Sequence, residues 1–356
     1  MKVMIFGGGR VGRLVAQFLA ETGQYTLYGV DRIAPENTII VAGVEYFTLD
    51  IQDTTAVSAL LTRYKPEAIL NCLPFNLSLV ALAVQQGIPY FDLTEDLNMT
   101  QWCLERANTF KSIVMPHCGI APGIVNAVAA HLMRSLTSVE SVSLRVGALP
   151  QMSNHGLRHA NTWSLTGMVN AYIQPSCGLV QGELVYYPSL TAEEDCFLHG
   201  EHLEAFYTSG GLGSMPFSYA GKIQKLDYKS LRYPGHLEKM RFLLDDLELK
   251  HQKEKLVTLL ENALPQIHQD RVILFVVVMG RDKHHKPIEK MYSRAFTATE
   301  QRGEWITAIQ RTTALGLCTM LEVVLEHPEQ YKGWVRQEQV SWEAIIENRF
   351  GQYFRE

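Results

Sequence analysis

The segment Gly7-Gly8-Gly9-Arg10-Val11-Gly12 constrains this chain more than any other. It follows the apolar run Val3-Met4-Ile5-Phe6, which reads as a buried strand. It opens a stretch with apolar residues at Val11, Leu14, Val15, Phe18 and Leu19, the spacing of an amphipathic helix. A G-x-G-x-x-G turn between strand and helix, with an acid about 20 residues on, is the context of the dinucleotide fingerprint. Gly7 makes the tight turn, Gly9 lets the backbone approach a pyrophosphate, and Gly12 lets the helix pack closely on the strand. Arg10 and Val11 lie where free N–H groups at a helix start face phosphates. Asp31, just after a second strand at residues 26–30, is placed to bond ribose hydroxyls and favours NAD. Arg32 follows directly and is suited to a 2′-phosphate, so NADP stays open.

The same rhythm continues. Residues 44–49 read as a third strand, followed by Asp50 and Ile51, which would flank an adenine. Asp53 caps a helix over residues 56–63, because its carboxylate accepts from free backbone N–H groups. A fourth strand at residues 68–73 is stopped by Pro74, and a helix over residues 77–86 is closed by Gly87. Residues 90–93 and 113–115 complete six strands. Alternating strands and helices predict an α/β Rossmann fold with a doubly wound parallel sheet. Leu73-Pro74-Phe75 and Asp92 then fall at the carboxyl edge of that sheet, where ligands bind.

Near residue 125 the pattern changes. A helix at residues 125–136 is followed by β-rich segments at 142–149, 183–187, 203–208, 272–279 and 288–298. Polar residues 281–287, ending in proline, read as a turn between two antiparallel strands. Residues 312–325 form a strong apolar helix. We therefore expect a Rossmann domain at 1–124, a second, mixed α/β domain at 125–310, and a helix and tail at 311–356 that return to the first domain. Hydrophobic residues make up 47% of the 356, enough for two cores. A net charge of -5 without basic clusters argues against nucleic acid. Six dispersed cysteines with no CxxC pair fit reduced thiols and a cytoplasmic setting. The N-terminus does not read as a signal peptide, and no apolar run is long enough to predict a membrane span.

Cys118-Gly119-Ile120-Ala121-Pro122-Gly123-Ile124-Val125-Asn126 resembles the saccharopine dehydrogenase family. So do Asn71-Cys72-Leu73-Pro74, Val146-Gly147-Ala148-Leu149-Pro150, Thr162-Trp163-Ser164 and Thr208-Ser209-Gly210-Gly211. The most specific is Leu231-Arg232-Tyr233-Pro234-Gly235-His236-Leu237-Glu238-Lys239-Met240. The resemblance implies a Rossmann domain interrupted by a substrate domain, a returning helix, oxidation of a C–N bond by a nicotinamide, and a homodimer. Two departures from the fungal saccharopine enzymes, Ala121 in place of Asp and Phe75 in place of Tyr, lean toward lysine dehydrogenases.

The expected reaction is oxidation of saccharopine to 2-aminoadipate 6-semialdehyde and glutamate, or its reverse. Lysine 6-dehydrogenase comes second and carboxynorspermidine dehydrogenase third. A nucleotide-binding scaffold without turnover and a thiol-dependent aldehyde dehydrogenase using Cys118 are rivals from other classes. An amine substrate is protonated near neutral pH, so a proton acceptor is needed before hydride can leave. His236, Asp92 and Cys118 are the candidates. Arg232 suits a substrate carboxylate, and Tyr233, Trp163 and Asn126 are further candidate substrate contacts. Arg145, Arg158, Arg294 and Arg311 are other available cations. Gly119 and Pro122 belong with the cofactor residues. Cys196, His199 and His202 recur every third residue, but no fourth ligand is evident and hydride transfer needs no metal.

Overall fold

The computed structural model describes residues 1–34, 40–74, 76–152, 155–301 and 303–355. Phe75 lies outside the described residues. The chain divides into two units, one of Met1–Ile124 with Thr313–Glu356 and one of Val125–Thr312.

The first unit opens with β1 (Lys2–Phe6), α1 (Arg10–Glu21), β2 (Thr26–Asp31), β3 (Val44–Thr48), α2 (Thr54–Tyr64) and β4 (Ala68–Asn71). It continues through α3 (Leu77–Gln86), β5 (Tyr90–Asp92), α4 (Leu97–Arg106) and β6 (Val114–Met115). The strands form a parallel sheet in the order β3-β2-β1-β4-β5-β6. The order reverses between β1 and β4, the switch point beside which dinucleotides bind in such sheets. Val3, Met4, Ile5 and Phe6 are all buried, as a strand covered on both faces requires.

Local polar bonds set the ends of these elements. Asp53 accepts from Ala56 N at the start of α2, and Gly87 closes α3 at φ 69°. β4 stops at Asn71, two residues before the predicted end, because Asn71 Oδ1 takes Leu73 N at 3.1 Å. β5 stops at Asp92, whose Oδ1 takes Thr94 N at 3.0 Å. Helix α4 escaped the sequence reading. Asp96 caps it, but its buried apolar face is only Met99 and Cys103, with Thr100 beside them.

In the second unit α5 (Ile124–Arg134, its first residue belonging to the first unit) precedes β7 (Ser138–Pro150). Then come α6 (Leu165–Ile173), β8 (Ser176–Val180), β9 (Glu183–Tyr187), β10 (Glu194–Leu198), β11 (Glu201–Tyr207), α7 (Met215–Tyr219) and β12 (Lys225–Arg232). α8 (His236–Arg241), α9 (Lys253–Ala263), β13 (Asp270–Arg281) and β14 (Pro287–Thr297) follow. The mixed sheet runs β10-β11-β12-β7-β13-β14, with β8 and β9 as a hairpin against the start of β12. β7 and β12 are parallel neighbours. β13 and β14 pair antiparallel up to Arg281 and Pro287, around the turn read from the sequence. Helices α6, α8 and α9 share an apolar core of Leu165, Met168, Val169, Leu237, Met240 and Leu260.

β12 also escaped the sequence reading, because Asp227, Lys229 and Arg232 break up its apolar pattern. All three are buried. Arg145 bridges Asp227 (2.6 Å) and Glu194, and Lys229 bridges Glu194 at 2.5 Å. Paired, these charges tolerate a sheet interior that none would tolerate alone. A small hairpin of β15 (Thr299–Gln301) and β16 (Glu304–Ile306) leads into α10 (Ala308–Glu326), which crosses from the second unit to the first. By length and composition alone α10 could cross a membrane. It is 72% buried over its most apolar window, the environment of a core helix. In the first unit α11 (Trp342–Glu347) follows it, capped by Ser341.

Candidate functional site

The glycine loop sits after β1 at the switch point of the first unit. Gly7 has φ 101°, which favours glycine. A Cβ on Gly12 would lie 1.8 Å from Gly7 O, so only glycine allows α1 to come this close to β1. A Cβ on Gly9 would meet nothing within 4 Å, so the backbone is open to a bulky partner. Gly9 is also the N-cap of α1 and offers no side-chain acceptor, which leaves the first N–H groups of the helix for a phosphate. Arg10 is exposed and Val11 partly so. Asp31 ends β2 with Oδ2 on Gly8 N (2.7 Å) and Oδ1 on Ile33 N (3.0 Å). Its carboxylate is thereby fixed beside the loop, and Arg32 is exposed. This arrangement fits a dinucleotide.

The remaining cofactor candidates follow the other strands. Asp50 Oδ1 takes Gln52 N, while Ile51 and Leu73 pack partly against the core and Pro74 is exposed. Gly119 and Pro122 lie in the turn before α5, closed by Ile124 N on Gly119 O at 3.0 Å.

Asp92 is 1% exposed, with Oδ1 taking both Thr94 N and His117 N at 3.0 Å. Burial pushes its pKa up to about 6, against the pull of those two N–H groups. Cys118 is fully buried, and its thiol donates to Met115 O at 3.1 Å. Burial, with the Asp92 carboxylate adding to it, lifts its pKa well above the usual thiol value. The expectation of a reactive thiol at Cys118 is therefore corrected: the environment stabilises the thiol, not the thiolate.

In the second unit the Arg232–His236 segment spans the end of β12 and the start of α8. His236 is corrected as a proton acceptor. Its Nδ1 donates to Leu157 O (2.8 Å), and its Nε2 accepts from Tyr172 Oη (2.9 Å). Both nitrogens are occupied, and burial followed by Arg232 lowers the pKa to about 3. Tyr172 Oη in turn accepts from Arg232 Nε at 2.8 Å, and Arg232 Nη1 donates to Leu231 O at 2.7 Å. Arg232 is 4% exposed and forms no ion pair among the described residues. Glu204, opposite it across the sheet, is committed to Gly235 N and Leu237 N at the start of α8.

Tyr233 is not a substrate contact in this arrangement, since it is buried in a core cluster with its hydroxyl on Pro150 O. Asn126 Nδ2 donates to Gly211 O and Leu212 O, which ties α5 to the 208–214 loop. Trp163 packs partly buried against the core of α6, α8 and α9. Arg145 is consumed by its ion pairs, Arg158 is exposed, Arg294 covers Phe296 and Arg311 donates to Thr299. Cys196, His199 and His202 face Glu194, Ser293 and Asp195 respectively, so they do not converge.

One buried polar residue was missed entirely. His159 is 2% exposed, and among the described residues no partner reaches either of its ring nitrogens. It lies in the loop before α6, where no periodicity marks it.

The fold and the glycine loop define a dinucleotide-binding protein of Rossmann type. Comparison with known proteins narrows the class. Residues 3–115 match the saccharopine dehydrogenase NADP binding domain, and residues 119–351 match the saccharopine dehydrogenase C-terminal domain. Saccharopine dehydrogenase (L-Glu forming) from Saccharomyces cerevisiae shares the fold at 14% identity and a TM-score of 0.76, over 97% of this chain and 96% of that one. Homospermidine synthase from Legionella pneumophila, solved with NAD, does so at 15% identity and 0.68, over 99% and 89%. The chain belongs to the saccharopine dehydrogenase family and is an NAD(P)-binding oxidoreductase.

Proposed function

We propose that the protein oxidises the CH–NH bond of an amino-acid substrate, saccharopine first and free lysine second, with NAD preferred. The observation that carries this is the buried, unpaired guanidinium of Arg232. Arginine stays charged in proteins, and an isolated buried charge is costly. A cation kept in this state is suited to an anion supplied by a ligand, and a substrate carboxylate is one. A polyamine such as the homospermidine named in the Legionella synthase offers no such anion.

The nicotinamide, when bound, accepts the hydride. The chain must take a proton from the substrate ammonium so that the nitrogen lone pair can form the imine. Water then adds, and the carbinolamine collapses to an aldehyde and glutamate, or to ammonia from lysine. Three candidates for the acceptor are separated by magnitude. At neutral pH Cys118 is protonated, and His236 at about 3 holds a proton too weakly. Asp92 at about 6 is ionised yet basic enough. NAD is preferred because the fixed Asp31 carboxylate would repel a 2′-phosphate. The six cysteines are all free, in keeping with a cytoplasmic setting, and a homodimer completes the reading.

The test is turnover of saccharopine and of lysine with each cofactor, with glutamate and ammonia assayed in parallel. Glutamate from saccharopine supports the first choice, and ammonia from lysine moves the reading to the second. No turnover of either, with cofactor bound, removes both. Asp31→Ser should shift the NAD-to-NADP preference toward NADP by about tenfold or more. An unchanged ratio would show that Asp31 does not set it.

A further inference from the structure

We infer that His159 is the acceptor for the α-ammonium group of an amino acid whose carboxylate pairs with Arg232, so that the two residues select a zwitterionic head over a plain carboxylate or a plain amine. This rests on the proposed role of Arg232 and assigns His159 a task of its own.

Three histidines are buried, and they differ in what they bond. His117 bonds Thr94 O (2.7 Å) and Thr100 Oγ1 (2.8 Å). His236 bonds Leu157 O and Tyr172 Oη. Each has both ring nitrogens satisfied, as buried polar groups generally are. His159 has neither. An unmade bond to a buried polar atom costs about 1–3 kcal/mol, so a purely structural residue here would be apolar. Three residues on, Thr162 is also 2% exposed with an unpartnered hydroxyl.

The surroundings of His159 say what it would bind. Its ring lies edge-on to His236, with centroids 5.4 Å apart. Burial, then the positive field of Arg232, and then His236, hold its pKa well below the usual imidazole value. A neutral imidazole offers one lone pair and one N–H. The lone pair suits an ammonium. Arg232 has committed one donor to Tyr172 and one to Leu231, which leaves three of its five N–H donors for the carboxylate. The chain Arg232–Tyr172–His236–Leu157 holds the guanidinium in place while His236 stays neutral. A group carrying a carboxylate and an ammonium on one carbon satisfies both residues, whereas either charge alone leaves one unpaired.

The experiment uses probes that cannot be oxidised at a distal amine: L-norleucine, hexanoate and pentylamine, titrated calorimetrically into the NAD-loaded protein. Norleucine should bind about tenfold or more tighter than either truncated probe, the cost of an unpaired buried group. His159→Phe should lower norleucine affinity to the hexanoate level, leave hexanoate unchanged, and melt no lower than wild type. Equal binding of hexanoate and norleucine by wild type would overturn the assignment without any variant. So would a His159→Phe protein that keeps the norleucine preference. Norleucine selectivity in a protein that never oxidises saccharopine or lysine would support the head-group site and remove the reaction reading alone.

Discussion

At the scale of single residues, two buried groups make opposite predictions. Asp92→Asn should abolish turnover and yet raise the melting temperature at neutral pH. The sign follows from the raised pKa. The folded protein holds this proton more tightly than the unfolded chain, so stability is lost as pH rises from 3.8 through about 6. Removing the charge recovers up to about 3 kcal/mol at pH 7. A variant that turns over normally would eliminate Asp92 as the acceptor. Cys118→Ser, by contrast, should keep kcat within about twofold, since the thiol is protonated and bonded to a carbonyl. Complete loss would restore the thiolate reading. Residue roles were the least legible part of the sequence. The tasks of Gly7 and Gly12 follow from spacing alone, because backbone geometry is local. The saturation of His236 and the isolation of His159 depend on Tyr172, Leu157 and Arg232, which the chain brings together from distant positions.

Among elements, legibility followed the source of each signal. The strands and helices of the first unit carry period and caps in contiguous residues, and most were read to within a few residues. β12 was hidden because Asp227 and Lys229, which break its apolar pattern, are neutralised by partners on β7 and β10. α4 was hidden because its buried face is narrow. The start of α10 lay four residues earlier than expected, at Ala308, for a reason no local pattern shows. Asp270, at the start of β13, accepts from Ala308 N and from Ile309 N (3.0 Å) and so caps a helix 38 residues later in the chain. Asp270→Ala should cost about 1–2 kcal/mol, the usual range for a lost cap, read as a lowered denaturation midpoint with unchanged slope. An unchanged midpoint would mean the cap contributes nothing.

For the whole molecule, the buried neutral histidines predict acid lability. His117 is lowered to about 4 and His236 to about 3 from 6.5, and His159 shifts the same way. Each binds a proton more readily when unfolded, so its stabilisation is present above 6.5 and is lost as pH falls toward the folded value. Between pH 6.5 and 5 the loss is roughly 2 kcal/mol for each of His117 and His236, larger than the opposite contribution of Asp92. Thermal melts at pH 7 and pH 5 should show a clear drop, and a flat profile would contradict the buried, neutral assignment. The two-part organisation was legible at this scale, since the change near residue 125 is a change of period. The substrate was not, because it depends on which cations remain unpaired after folding.

In the proposed reaction hydride leaves a carbon bearing an amine nitrogen. Offering saccharopine, and separately lysine, deuterated at the ε-carbon of the lysine skeleton, and weighing the reduced cofactor by mass spectrometry, tests this step. Deuterium should appear in the nicotinamide ring from at least one of the two. Cofactor bound tightly, with no deuterium acquired from either substrate, would contradict it.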